Sequence, residues 1–292
     1  MDFLKKYTAP DFGQIDIEIA KLKAESKKFY NSAVLKEIFS LIDLTSLNAT
    51  DSKAKIKGMT EKVNKFPAVF TDMPNVAAIC VYPSLVETVK ENLKAEIGIA
   101  SVAAGFPSSQ TFLDVKIVES TAAVLSGASE VDIVISLGTF LSGDYETVYQ
   151  EIKEIKENIE NAHLKVILES GALEDAQKIW DASIIAMEAG ADFIKTSTGK
   201  MQPAATLEAV YVMTKAIKEF YRVNHKKIGL KPAGGISTGK QAVEYYAIVA
   251  DILGDEWLNN KLFRIGASSL ANNLLSEIAG LDSSAKVDVN YF

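Results

Sequence analysis

Two lysines stand where a lysine needs a reason. Lys195 follows Asp192, Phe193 and Ile194, which read as a buried strand, and precedes a polar Thr-Ser-Thr-Gly-Lys exit; Lys231 follows Ile228, Gly229 and Leu230 and precedes Pro232 and Gly234-Gly235. An ammonium group is rarely buried without a partner, and burial drives its pKa down toward the neutral amine. That amine is a nucleophile. At the ordinary pKa only about one lysine in a few thousand is unprotonated near pH 7, so amine chemistry demands burial or a second cation. Lys231 is a candidate for the second cation. Asp132 is a third charge in an apolar run, and the two-residue strand period sets Asp132, Val134 and Ser136 on one face and Val131, Ile133 and Ile135 on the other. An amine with an acid and a base at strand ends suits carbonyl chemistry. The amine adds to an aldehyde or ketone, water leaves, and the iminium nitrogen draws electrons from the adjacent carbon–carbon bond. Asp132, through a water, and Lys231 move the protons.

Such groups need rigid elements behind them. Eight apolar runs recur along the chain: Phe39 to Asp43, Ala77 to Tyr82, Ile97 to Val102, Glu130 to Ile135, Leu164 to Glu169, Asp192 to Ser197, Lys227 to Lys231 and Phe263 to Ala267. Amphipathic segments separate them. Val148, Ile152, Ile155 and Ile159 recur at helical spacing behind Asp144, a plausible N-cap, and similar patterns cover Thr111 to Leu125, Leu173 to Met187 and Thr206 to Tyr221. Near-continuous apolar strands alternating with helices predict an α/β fold with a covered parallel sheet, and eight units predict a closed (β/α)8 TIM barrel. No GxGxxG follows the first strand, which argues against an open dinucleotide-binding sheet.

In a barrel the carboxyl ends of the strands form the reactive rim. Asp43, Cys80, the Gly105-Phe106-Pro107 turn, Asp132, Glu169, Lys195, Lys231 and Gly266 would gather there. The exits of the last three strands hold Thr198-Gly199-Lys200, Gly234-Gly235-Ile236-Ser237 and Gly266-Ala267-Ser268-Ser269. Glycine backbone, serine hydroxyls and a following helix N-terminus predict an anion site, hence a phosphorylated small substrate.

The 292 residues, 48% hydrophobic and 24% charged, suffice for a large core. We read residues 1–292 as one barrel domain with a helical N-terminal arm to about residue 34, built on Ile15, Ile17, Ile19 and Leu22, and a tail from about residue 280. A net charge of -7 argues against nucleic-acid and anionic-membrane partners. Cys80, the sole cysteine, reads as a small buried hydrophobe and excludes an intrachain disulfide. No signal-type or membrane-length apolar run is present, so a cytoplasmic location is expected. His163 and His225 are too few for a zinc-dependent lyase, so neither metal nor cofactor is expected. Lys165 and Glu169 share a strand face and read as a pair; the lysines from Lys53 to Lys65 read as a solvated helix face.

The strings LIDLTSLN, AAICVYPSLV, GFPSSQT, EVDIVI, LKVILESG, AGADFIKTSTGK, KPAGGIS and FRIGASSL resemble the deoxyribose-phosphate aldolase family from about Leu35 to Leu275. FIKTSTGK and KPAGGIS at this separation are the most specific. The resemblance implies a class I aldolase, a lyase with Lys195 as Schiff-base lysine and Asp132 with Lys231 as proton donor and acceptor. It implies reversible cleavage of 2-deoxy-D-ribose 5-phosphate to D-glyceraldehyde 3-phosphate and acetaldehyde, without a metal, in a homodimer. Asp43, Thr45 and Cys80 match positions lining the family's pocket. Ser237 departs from the arginine that many members carry, which predicts a weaker preference for phosphorylated substrate. Tyr291 in the tail is a candidate proton relay. The alternatives are another phosphate-binding barrel lyase or isomerase, or a non-catalytic sugar-phosphate-binding barrel.

Overall fold

The structure, a computed structural model, describes residues 1–283 and 287–292. Eight strands form one parallel sheet: β1 (Ile42–Thr45), β2 (Ala78–Val81), β3 (Gly98–Val102), β4 (Glu130–Val134), β5 (His163–Ile167), β6 (Phe193–Lys195), β7 (Gly229–Lys231) and β8 (Ile265–Ala267). Consecutive strands pair, β8 returns to β1, and bridges from Leu230 to Phe263 and from Ala233 to Gly266 bring β7 against β8. The sheet therefore curls into a (β/α)8 barrel. Around it run α1 (Ile15–Glu25), α2 (Ser32–Ser40), α3 (Lys53–Val69), α4 (Val86–Asn92), α5 (Leu113–Leu125), α6 (Leu137–Leu141), α7 (Tyr145–Asn158), α8 (Ala176–Glu188), α9 (Leu207–Asn224), α10 (Gly239–Ile252) and α11 (Leu270–Ser283). None of the described helices is long and apolar enough to cross a membrane.

Alternation along the strands sorts the side chains. Val131, Ile133, Leu164, Val166, Ile194 and Leu230 are buried in the main apolar core, while the charged residues of the same strands meet one another inside the ring. Register fixes who meets whom: Asp132 pairs with Lys165, and Lys195 with Lys231. The β6–β7 seam is reinforced beyond its ladder. Thr196 N–H donates to the Lys231 carbonyl at 3.1 Å, and the Ser197 hydroxyl donates to the Ala233 carbonyl at 2.5 Å. Side chains thus stitch the two strands on which the lysines stand.

Several boundaries differ from the sequence expectation. The run beginning at Phe39 is not strand throughout: Phe39 lies in the last turn of α2, and β1 starts at Ile42. Phe39 is apolar because it stacks on Phe66 of α3 at 5.0 Å, a helix-layer contact. Asp144 does cap α7, accepting the Thr147 N–H at 3.1 Å. The arm's α1 packs across α9 and α10; Leu22 is buried there, but Ile17 is 65% exposed. Lys53, Lys55, Lys57, Lys62 and Lys65 are exposed along α3. The expected tail begins later, because α11 runs to Ser283; Ser284, Ala285 and Lys286, part of that expectation, lie outside the described residues.

Gly229 shows how the interior was shaped around one ring. A Cβ there would sit 2.2 to 2.6 Å from three carbons of Phe193, the neighbouring inward side chain. Gly229→Ala should therefore destabilise the barrel by about 1–3 kcal/mol, measured by denaturant unfolding. A loss below roughly 0.5 kcal/mol, the range of harmless surface changes, would show that the ring moves aside freely.

Candidate active site

Inside the barrel, β1, β4, β5, β6, β7 and the residue before β8 contribute Asp43, Glu130, Asp132, Lys165, Lys195, Lys231 and Arg264. All are buried. Asp132 is the hub: its Oδ2 accepts from Lys195 Nζ and Lys231 Nζ, each at 2.8 Å, and its Oδ1 accepts from Lys165 Nζ at 2.9 Å. Lys231 also pairs with Asp43 at 2.5 Å, and Lys165 with Glu130 at 2.5 Å. Arg264 closes the set, reaching Asp43 at 2.6 Å and Glu130 at 2.9 Å.

The charges do not balance evenly. Three carboxylates face four bases, and Lys195 is the base with one carboxylate partner, shared with Lys165 and Lys231. Burial dominates its titration and, with the Lys231 cation, outweighs the pull of Asp132, so its pKa falls below the ordinary lysine value of 10.5. Lys231 goes the other way. Burial would lower it, but Asp132 and Asp43 hold its ammonium well above the lysine range. Lys165 is likewise raised, burial being overcome by Asp132 and Glu130. Burial would raise Asp132 too, and the three ammonium groups hold it far below the usual carboxylate range. Of the four bases, Lys195 is thus the one whose proton the cluster loosens.

That amine is also the one with access. A cavity of about 380 Å³ opens at the carboxyl ends of the strands, lined on its floor by Lys195 and not by Lys165 or Lys231. Around it stand Thr45, Thr198, Gly199, Lys200, Gly234, Gly235, Ser237, Gly266, Ser268 and Ser269. Asp43 and Asp132 lie fully buried below. Cys80 is buried as well, in an apolar patch with Leu47, Ala100 and Val102 against Tyr82 and Phe106; burial raises its thiol pKa. An uncharged thiol fits the expectation of a small hydrophobe.

The rim brings two glycine turns, serine hydroxyls and a helix N-terminus together. Gly234, at φ +86°, carries no Cβ; one would meet Ala204 Cβ at 2.8 Å and Gly199 Cα at 3.0 Å, so the two glycine turns interlock only as they are. Ser268 and Ser269 lead into the N-terminus of α11, where free N–H groups favour negative charge. Lys200 reaches across to donate from Nζ to the Leu47 carbonyl at 2.5 Å. Ser237 behaves differently. Its N–H donates to Gln241 Oε1 at 2.9 Å and its hydroxyl points to the same oxygen at 3.3 Å, so both donors are committed inside the α10 capping box.

Two expectations are corrected. Lys165 does not pair with Glu169: shared strand parity ends where Glu169 turns left-handed at φ 52°. Glu169 instead accepts from Thr198 N–H at 3.2 Å and Thr198 Oγ1 at 2.6 Å, bracing the loop after β6. Tyr291 is not among the cavity-lining residues. Its ring packs on Phe66 and Phe70 of α3 and its hydroxyl donates to the Lys62 carbonyl at 2.7 Å, because an apolar aromatic cluster claims the tail. Sequence reasoning missed Glu130 and Arg264. The signal was present: Glu130 stands two residues before Asp132, on the same strand face, and Arg264 is a charge set between Phe263 and Ile265. Among the described residues no three His, Cys, Asp or Glu side chains are arranged to hold a metal.

Comparison with known proteins bears on this arrangement. Residues 38–275 match the model of the DeoC/LacD family aldolases. The chain is 44% identical over 271 residues to a Caenorhabditis elegans relative, covering 91% of this chain and 88% of that protein. It is 41% identical over 265 residues to the Homo sapiens deoxyribose-phosphate aldolase, covering 86% and 83%. Among solved structures, the aldolase QR15 superposes with a TM-score of 0.69 at 29% identity, covering 83% of this chain and 96% of that one. The Aeropyrum pernix deoxyribose phosphate aldolase shares the fold at a TM-score of 0.67 and 23% identity, covering 90% and 98%.

Proposed function

The chain belongs to the DeoC/LacD family of aldolases, and we propose that it cleaves 2-deoxy-D-ribose 5-phosphate reversibly to acetaldehyde and D-glyceraldehyde 3-phosphate through a Schiff base on Lys195. The observation that carries this reading is that Lys195, alone among the bases of the interior cluster, both lines the cavity and has a lowered pKa. A non-catalytic barrel or an isomerase has no use for a nucleophilic amine so placed.

The neutral Lys195 amine attacks C1 of the open-chain sugar. Acid protonates the carbinolamine hydroxyl, water leaves, and an iminium remains. A base then takes the proton of the 3-hydroxyl, the C2–C3 bond breaks, and its electron pair flows to the iminium nitrogen as glyceraldehyde 3-phosphate departs. The enamine gains a proton at C2, and water releases acetaldehyde and the free amine. Lys231 and Asp132, in contact at 2.8 Å beside the amine, are the pair to which the proton transfers are assigned. No metal or cofactor is needed, because the iminium nitrogen is the electron sink. Reaction of this kind belongs to deoxyribose phosphate catabolism in the cytoplasm.

The phosphate is assigned to the rim formed by Gly199, Lys200, Gly234, Gly235, Ser268 and Ser269. Ser237 adds little there, since its donors serve Gln241.

Reduction with borohydride in the presence of acetaldehyde should leave one ethyl group on the peptide carrying Lys195, read by mass spectrometry after digestion, and none in Lys195→Leu. An adduct on another lysine, or no adduct, would overturn the assignment. Ser237→Arg should lower KM for the phosphorylated sugar about tenfold through a charge-assisted contact, with KM for plain 2-deoxyribose unchanged. Equal KM values in variant and parent would remove the phosphate from this rim.

A further inference from the structure

Two residues beyond β5, Glu169 holds a position that the reaction as assigned does not use. Its carboxylate is buried, the residue being 3% exposed, and it makes no ion pair among the described residues. Its backbone is left-handed, at φ 52° and ψ 54°, a region that residues other than glycine rarely adopt. A buried charge without a counter-ion and a strained backbone are both unfavourable, and such features gather where a geometry is held for function.

What Glu169 holds is the loop after β6. Leu168 N–H donates to the Lys195 carbonyl and Ser170 N–H to the Thr196 carbonyl, both at 2.9 Å, so the main chain is tied on either side of Glu169 to the strand bearing the amine. Gly171 leaves no slack: a Cβ there would overlap the Pro203 carbonyl oxygen. From this fixed base the Glu169 carboxylate takes both donors of Thr198, the N–H at 3.2 Å and the hydroxyl at 2.6 Å. With its proton directed at Glu169, the Thr198 hydroxyl oxygen accepts the Lys200 N–H at 3.0 Å. The N–H groups on both sides of Gly199 are therefore occupied. That of Gly199 itself, at φ +75° on the cavity wall, has no partner among the described residues.

We propose that Glu169 is a specificity-determining positioning residue: by binding Thr198 it turns the Gly199 N–H, and not those on either side, toward the phosphate of the substrate. The proposal rests on the assignment of the phosphate to this rim. An ionised carboxylate repels a phosphate, so Glu169 acts through Thr198 and is not itself a ligand. The effect extends to the neighbouring turn. A Cβ at Gly234 would come within 3.0 Å of Gly199 Cα, so a shift of Gly199 reaches the Gly234-Gly235 pair. Lys195 is insulated from it, because Thr196 and Ser197 hold its strand to Ala233 independently of Glu169. Loosening Thr198 thus weakens phosphate recognition and spares the amine.

Glu169→Ala should raise KM for 2-deoxyribose 5-phosphate about tenfold, the effect of one lost hydrogen bond to a charged group, and leave KM for plain 2-deoxyribose within about twofold of the parent. Glu169→Gln, of nearly the same shape and able to accept one of the two Thr198 bonds, should fall between. Inorganic phosphate titrated by calorimetry should bind Glu169→Ala about tenfold more weakly than the parent, a reading that needs no turnover. Both variants should still take up acetaldehyde on Lys195 under borohydride, which shows that they are folded and the amine intact. No Lys195 adduct in the parent would strike the aldolase reading and leave calorimetry to decide this one; if Glu169→Ala does not fold, Glu169→Gln decides alone. Equal rises in KM for both sugars, a change confined to kcat, no phosphate binding by the parent, or parent-like phosphate binding in the folded variants would overturn the proposal.

Discussion

The structure depends on one constraint: seven ionisable side chains are buried together in the barrel interior, and three carboxylates have to satisfy four bases. Removing two charges from water costs several kcal/mol per ion unless each finds a close partner. Asp43, Glu130 and Asp132 provide that for Lys165, Lys231 and Arg264. Lys195 is left to share Asp132 with two other ammonium groups. Its proton is therefore the least firmly held of the four. The reactivity proposed for this amine is then a consequence of counting charges, not of a special neighbour. Lys231 contributes, but burial is the larger cause.

The rest of the fold keeps that count in place. Parallel register lays Lys195 beside Lys231 and Asp132 beside Lys165. Thr196, Ser197 and Ala233 lock β6 to β7 with side-chain hydrogen bonds, so the two lysines cannot slide apart. Gly229 leaves room for Phe193, whose ring lies 5.8 Å from the Arg264 guanidinium. The small wall of Ala78, Cys80, Ala100 and Val102 fills the far side of the ring without adding charge. Above, Glu169 braces Thr198 and with it the glycine turn beside the cavity.

Much of this was legible in the sequence, because the barrel's pattern is local. Eight apolar runs gave eight strands, and the alternation around Asp132 set its carboxylate on the face away from Val131, Ile133 and Ile135. Lys195 and Lys231 stood out for the same reason, as charges in buried runs. Phe39 was misplaced because an apolar residue ending one helix reads the same as one opening the next strand. The partners of Lys165 were missed because they come from β1 and β4, and closure of the ring, not sequence distance, brings them together. Tyr291 was misjudged for a related reason: an aromatic cluster with Phe66, Phe70 and Phe292 holds the tail on α3, and no periodicity announces it.

Titration of the lysines decides the central claim. In protein labelled with 13C at lysine Cε, NMR shifts followed against pH report each amine separately. The account predicts that Lys195 loses its proton below 10.5, while Lys165 and Lys231 remain charged beyond it. Between the lowered pKa and 10.5 the unfolded chain binds a proton there that the folded state resists, so the Lys195 contribution to stability rises with pH across that window. A Lys195 that keeps its charge to 10.5 or above, or a Lys231 that releases its proton first, would contradict the account.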